Sequence, residues 1–225
     1  MNSFCECGHT GNSLAEEKNK IMKKIYFSCL FFLAVIVISS CVSSLYPISD
    51  NENDLIFRED LLGNWVYKDM QTQLIMNKAE HKKYKITVID KKNKDNGGKN
   101  NSFFDTSYYS GFLIQLNNQY FFDCTPDTDH PQFDCLGEET KSGLLPLHFI
   151  YKISSLNNDQ ISISSMDIDA MKNFTANSGN KIKHEKLSKD HIMLTADAAG
   201  LQKNILTNKE ATFVFGKPDI LTRKK

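Results

Sequence analysis

The densest group of reactive side chains lies in the segment DCTPDTDHPQFDCLGEE, residues 123–139. Its carboxylates are Asp123, Asp127, Asp129, Asp134, Glu138 and Glu139, and it contains no lysine or arginine. Carboxylate oxygens at this density are typical calcium ligands, but Pro131 and Gln132 stand where an EF-hand loop needs its turn and its glycine. We therefore favour a solvated acidic loop over a cation site.

Histidine is the other residue type here that can bind a metal or transfer a proton near neutral pH. His148 falls on a predicted strand, whereas His184 and His191 flank a predicted hairpin turn. Protein metal sites need three or four converging ligands, and these residues do not assemble such a set. The sequence also lacks Gly-x-Ser-x-Gly, His-Glu-x-x-His and phosphate-loop motifs. We expect surface or satisfied histidines, no metal, no cofactor and no enzymatic activity.

An apolar run occupies residues 25–38, directly after two lysines. A basic start and a short apolar core describe a secretory signal peptide. The run is shorter than the roughly 20 residues of a membrane-spanning helix. Its exit, Ile38-Ser39-Ser40-Cys41, resembles the lipobox of bacterial lipoproteins. The resemblance implies cleavage before Cys41, a diacylglycerol group on its thiol, and a membrane as the partner of that lipid.

These features divide the chain into four predicted parts. Residues 1–21 are interpreted as an extension upstream of the true translation start, and residues 22–40 as the lipoprotein signal peptide. Residues 41–54 are predicted to be a lipidated tether, and residues 55–225 a single β-rich domain. Val42 follows the cysteine where inner-membrane lipoproteins of enteric bacteria carry aspartate, so the resemblance implies the outer membrane, with the domain facing the periplasm.

Export affects the interpretation of Cys124 and Cys135. In an oxidising compartment this even pair is a candidate disulfide. Such a bond would stabilise the fold by roughly 3 kcal/mol in the chain-entropy model. Two free buried thiols are the alternative, because spacing alone does not show whether the two Cα atoms come close enough.

Alternation of apolar and polar residues dominates the remaining sequence. Short sequential strands joined by polar turns favour an antiparallel meander over a parallel sheet. The predicted fold is therefore mainly β (α+β), a barrel or strongly curved sheet with two or three short helices. Strands are predicted at 84–90, at 110–124 with a turn at Asn117-Asn118, and at 147–156, and a further hairpin is predicted to turn at 188–190. Helices are predicted over 167–177 and after a cap at Thr195, and a helical turn is predicted within 55–62.

The only tryptophan of the chain stands two residues after a glycine. Gly63-Asn64-Trp65 resembles the Gly-x-Trp signature that opens the first strand of lipocalins and lipocalin-like bacterial lipoproteins. In that family the tryptophan closes the barrel floor and the glycine lets backbone pass closely. The chain as a whole is similar to uncharacterised envelope lipoproteins of Bacteroidota-like bacteria, and the resemblance implies a lipocalin-like barrel.

The expected function is binding of a small apolar ligand inside this barrel. The candidate lining residues, beside Trp65, are Tyr84, Phe112, Phe121 and Tyr151. The alternative is a structural or partner-binding envelope protein whose core is packed shut. With 27 basic and 27 acidic residues, the chain has no net field that would indicate nucleic acid as a partner.

Overall fold

The computed structural model describes residues 42–67, 72–90, 106–133, 144–176, 182–206 and 214–224. All of them belong to the unit Ser40–Lys225. Several predictions fall outside the described residues: the signal peptide, the lipid site Cys41, the acidic positions after Phe133, and Cys135.

The described residues form twelve strands and two α-helices. The strands are β1 (Val42–Ser44), β2 (Leu55–Ile56), β3 (Gly63–Tyr67), β4 (Thr72–Lys78), β5 (Lys83–Asp90), β6 (Thr106–Leu116), β7 (Gln119–Pro126), β8 (Phe149–Leu156), β9 (Gln160–Ser165), β10 (His184–Ser188), β11 (His191–Leu194) and β12 (Asp219–Arg223). The helices are α1 (Ile168–Ala176) and α2 (Ala198–Leu206). No helix in the described part of the chain has the length and apolar character needed to cross a membrane.

Eight strands close into an antiparallel barrel in the order β6-β5-β4-β3-β12-β9-β8-β7, and the pairing of β6 with β7 completes the ring. Strand β12 lies in the ring between β3 and β9, and β2 pairs with Leu113 and Ile114 of β6, beyond the residues that pair with β5. Closure removes the exposed strand edges that an open sheet would leave. The predicted mainly β fold, an antiparallel barrel with a few short helices, is confirmed.

A second sheet covers part of the outer barrel wall. Its order is β1-β11-β10, with β1 parallel to β11 and β10 antiparallel to it. Side chains from this sheet, both helices and the barrel share one hydrophobic core, which includes Phe121, Ile150, Met171, Leu194 and Leu201. Strands β6 and β7 are consequently buried on both faces over part of their length.

Local signals place most helix and hairpin ends where the sequence predicts them. Asn117 and Asn118 have φ values of 49° and 59°, the left-handed conformations that a tight two-residue hairpin needs. Asp167 Oδ1 accepts a hydrogen bond from Ala170 N at 2.7 Å and caps α1. Helix α2 is capped by Asp197, and the predicted cap at Thr195 is wrong. Thr195 N still donates to a backbone carbonyl in extended pairing.

Residues 42–54 are folded, so the prediction of a tether there is wrong. The three residues of β1 are at most 2% exposed, and Ile48 is fully buried. Ile48 N donates to Asp123 Oδ2 at 2.8 Å, and Gln202 Nε2 donates to Ile48 O at 3.0 Å. The short polar run looked like a linker because its partners are distant in sequence. The first described residues of this unit therefore form a buried strand, which starts directly after the predicted lipid site.

Candidate functional site

The closed end of the barrel is built around Trp65. This side chain is fully buried, and its Nε1 donates to Leu61 O at 2.8 Å. The guanidinium of Arg223 lies over the ring, 4.2 Å from its centroid. Arg223 also donates to the carbonyl of Leu62 at 2.8 Å and to that of Asp60. The tryptophan thus fills the floor, as its motif predicts, while the arginine joins the last strand to the segment before the first.

Gly63 permits this arrangement. Its φ is +120°, and a Cβ added here would lie only 2.8 Å from Arg223 Nη1. Residues with side chains rarely adopt this backbone conformation. The resemblance implies close passage of backbone at this glycine, whereas the group that passes here is the Arg223 guanidinium.

Tyr84 belongs to the same closed end. Its hydroxyl accepts from Arg58 N at 2.7 Å and donates to Arg58 O at 3.1 Å. Its ring stacks on Phe57 with centroids 4.9 Å apart, and the side chain is fully buried. Tyr84 is therefore a packed core residue of the barrel floor.

Three other tyrosines, Tyr67, Tyr109 and Tyr151, face the barrel interior and are called the tyrosine cluster below. Tyr67 lies two residues after Trp65, so strand alternation puts both on one face. Tyr109 meets Phe149 edge-on at 6.4 Å, and Tyr151 pairs with Phe122. All three keep part of their accessible surface.

Desolvation by the surrounding barrel sets the electrostatics of the tyrosine cluster. Burial raises the pKa of Tyr67 to about 12 and that of Tyr109 to about 12. Burial raises the pKa of Tyr151 well above its ordinary value, and the nearby Cys124, Tyr67 and Tyr109 raise it further. The phenols are therefore protonated at neutral pH, and each can donate and accept a hydrogen bond.

Cys124 faces the same interior as a free, buried thiol. Its Sγ lies 3.6 Å from Phe149 O, to which it donates a weak hydrogen bond. Burial strongly raises the pKa of this thiol, which is the opposite of what a nucleophilic cysteine needs. The predicted disulfide between Cys124 and Cys135 is therefore not formed in this structure, because Cys124 is free; Cys135 itself lies outside the described residues.

The predicted lining residues divide between the two faces of the wall. Tyr84 and Tyr151 point inward, whereas Phe112 and Phe121 point outward. Phe121 pairs in register with Ile114 and contacts Phe215, with ring centroids 6.0 Å apart. Placing Phe112 and Phe121 inside the barrel is therefore wrong. Because β6 and β7 are apolar on both faces, alternation could not show which face was the inner one.

A cleft of about 220 Å³ lies on the outer wall, between β6, β7 and the N-terminal residues. Phe112, which was predicted to line the barrel interior, lines this outer cleft instead. The lining residues are Pro47, Ser49, Asp50, Leu55, Lys83, Ser110, Gly111, Phe112, Ile114, Asp123, Thr125 and His148. The volume is below the roughly 300–1,000 Å³ typical of small-molecule sites.

Asp123 and His148 form a fixed pair at this cleft. His148 Nδ1 lies 2.7 Å from Asp123 Oδ1, and the carboxylate is only 4% exposed. The expectation of a satisfied, partly buried His148 is confirmed. The expectation that Asp123 and Asp127 belong to a solvated loop is wrong, because both are buried at the end of β7. Asp123 lies on a strand that packs on both sides, and Asp127 directly follows this strand.

The remaining histidines lie apart. His184 Nδ1 contacts Ile182 O at 3.0 Å, whereas His191 Nε2 lies 2.9 Å from Ser43 Oγ. Among the described residues, no three His, Cys, Asp or Glu side chains come close enough together to hold a metal ion. In the same ranges, no serine, threonine or cysteine is hydrogen-bonded to the His148 ring.

His191 makes stability depend on pH. Burial lowers its pKa below the ordinary value of 6.5, so the unfolded chain takes up the proton first as the pH falls. Full stability is expected above pH 6.5 and a progressive loss below it, down to the folded-state pKa. Urea titrations at several pH values measure this loss. His191→Gln should flatten the pH profile. An unchanged profile in His191→Gln contradicts the assignment.

Sequence reasoning missed Tyr67 and Tyr109 as interior residues. The alternation of side chains along each strand could have revealed them, because Tyr67 lies on the same face as Trp65, and Tyr109 lies on the same face as Gly111 and Leu113.

No family model matches this chain, and no curated protein or solved structure matches it significantly.

Proposed function

We propose that this protein is a lipid-anchored, non-catalytic binding module of the cell envelope. Its ligand is a small, mainly apolar molecule with at least one hydrogen-bonding group, held inside the barrel. The tyrosine cluster carries this proposal, because its members are enclosed by the barrel yet keep accessible surface. Aromatic rings supply apolar contact area, and their hydroxyls supply the few polar contacts that orient a ligand.

The electrostatics of the cluster support binding rather than catalysis. Phenols with raised pKa values stay neutral at pH 7 and serve as hydrogen-bond partners without becoming nucleophiles. The Cys124 thiol beside them also stays protonated, since burial raises its pKa. A neutral, desolvated wall of this kind favours an uncharged ligand over an ion, because burying an unpaired charge is costly.

The anchor is proposed to be the lipid on Cys41, in the outer membrane and facing the periplasm. The lipobox-like exit Ile38-Ser39-Ser40-Cys41 and Val42 after it support this assignment. The position of the first described strand, which starts at Val42, is compatible with it, because cleavage before Cys41 would remove none of the described strands.

A structural or partner-binding envelope protein is the second candidate. Trp65, Tyr84 and Leu113 are fully buried at the closed end and in the middle of the barrel. These large side chains occupy space that a ligand-filled barrel would leave open. This observation limits the proposed ligand to the part of the interior near the tyrosine cluster.

Native mass spectrometry of the purified chain tests the two candidates. We expect a discrete small molecule that is lost on denaturation. Tyr109→Phe and Tyr151→Phe each remove one hydroxyl, so each should weaken binding by roughly threefold to tenfold, the equivalent of one hydrogen bond of about 0.5–1.5 kcal/mol. Tyr108→Phe is the matched control, because Tyr108 stacks on His130 outside the barrel.

A bare protein mass in repeated preparations supports the partner-binding candidate instead. Equal ligand retention in Tyr108→Phe, Tyr109→Phe and Tyr151→Phe places the ligand away from the tyrosine cluster. The outer cleft then becomes the site to test, with Thr125→Tyr as the variant that fills it.

A further inference from the structure

The tip of the β10–β11 hairpin, residues 187–190, exposes an apolar side chain that the barrel does not explain. Leu187 is 53% exposed. The pairing register shifts between Lys186 and Ser188, so Leu187 is the extra residue of a β-bulge. Bulges re-aim the side chains that they carry. A single exposed leucine is ordinary on a protein surface, and only its position gives this one a role.

That position is beside the predicted lipid site. Val42 pairs with Ile192 in parallel register, and Ser188 pairs with His191, one residue nearer the turn. Two strand spacings of about 4.8 Å separate β1 from β10. The start of β1 and the tip therefore lie at the same end of the sheet, on the order of 10 Å apart.

The chain has no slack between the lipid site and the fold. Val42, Ser43 and Ser44 are at most 2% exposed, and Ser44 N and O both bond to the backbone of His148. A flexible linker between the lipid and the domain would let the domain move away from the bilayer. A strand that is buried in the domain does not allow this movement. A membrane that holds acyl chains on Cys41 must therefore lie against this end of the three-stranded sheet.

We propose that the tip is a second membrane contact, in which Leu187 enters the interface of the bilayer that holds the Cys41 lipid. This inference rests on the proposed lipid anchor. Lys186 and Lys189 flank the leucine, and long lysine side chains reach polar headgroups while apolar neighbours enter the interface. Lys189 also pairs with Asp190 at 3.7 Å, so apolar contact rather than net charge carries the attachment. The contact fixes the orientation of the barrel on the membrane.

Leu145 supplies a matched control. It is 63% exposed and precedes His148, which bridges to Ser44 at the end of β1 away from Val42. Leu187→Trp and Leu145→Trp are made in the full chain, expressed in a bacterium that processes lipoproteins and reconstituted in phosphatidylethanolamine–phosphatidylglycerol vesicles. Trp65 is buried in both variants and in the unmodified chain, so its emission is a common baseline.

The expected result is a blue-shifted emission for Leu187→Trp and loss of that emission when the vesicles contain lipids with brominated acyl chains. Leu145→Trp should show neither change. Hydrogen exchange of the unmodified chain is an independent measurement that needs no variant, and amides 187–190 should be slower to exchange in vesicles than in detergent micelles.

Intact mass first establishes whether Cys41 is acylated, which separates the two possible failures. An acylated chain whose Leu187→Trp emission matches that of Leu145→Trp, without slowed exchange at the tip, overturns the tip contact and leaves the proposed anchor intact. A chain that is processed without any lipid on Cys41 overturns both.

Discussion

Trp65→Ala is expected to lower the free energy of unfolding by about 3–5 kcal/mol, the range for truncating a buried aromatic core residue. The substitution opens a cavity at the barrel floor and removes the Nε1 bond to Leu61 O. It also removes the ring under Arg223. Because small domains are stable by about 5–15 kcal/mol, this loss is a large part of the total. Urea denaturation followed by circular dichroism measures it, since the tryptophan signal is gone.

Trp65→Phe is the control for this prediction. It keeps an aromatic ring at the floor but removes the indole N–H, so its loss should be clearly smaller than that of alanine. Equal stability of Trp65→Ala and the unmodified chain would show that the floor is not part of the core. Equal losses in the two variants would assign the effect to the hydrogen bond rather than to packing.

Asp123→Ala is expected to destabilise the protein by about 3 kcal/mol, since two donors lose a charged acceptor and such bonds contribute about 1.5–3 kcal/mol each. The donors are His148 Nδ1, at 2.7 Å, and Ile48 N, at 2.8 Å. Ile48 belongs to the N-terminal segment, so this segment should loosen from the barrel. Chemical denaturation measures the stability, and hydrogen exchange at residues 45–50 measures the loosening.

Asp127→Ala is the matched control, because Asp127 is also buried near the end of β7. Its ion pair at 3.7 Å is with Lys85, whose side chain is 62% exposed. Exposed pairs of this kind contribute at most about 1 kcal/mol. If Asp127→Ala is as destabilising as Asp123→Ala, the special role of Asp123 is refuted. If exchange at residues 45–50 is unchanged in Asp123→Ala, the carboxylate does not hold the N-terminal segment.

Local patterns in the sequence predicted much of the barrel. Alternation identified β5, β6, β7 and β8, Asn117-Asn118 marked a hairpin turn, and Gly63-x-Trp65 marked the floor. These features act over a few residues, so they can be recognised without knowing the fold. Strands β1, β2, β4 and β12 were not predicted from the sequence. Three of them are short, with three residues in β1, two in β2 and five in β12. Strand β1 pairs with β11, more than 100 residues away, and β12 pairs with β3 and β9.

The sequence by itself determined the fold class, the closed-end residues Gly63 and Trp65, and the prediction of a lipid at Cys41. Only the tertiary structure decided which aromatic residues face inward. It separated Tyr84 and Tyr151 from Phe112 and Phe121, and it added Tyr67 and Tyr109 to the interior. It also showed that the predicted tether contains the buried strand β1 and that Asp123 pairs with His148. The physical reason is that β6 and β7 pack on both faces, so apolar alternation no longer distinguishes inside from outside, and only ring closure defines the interior.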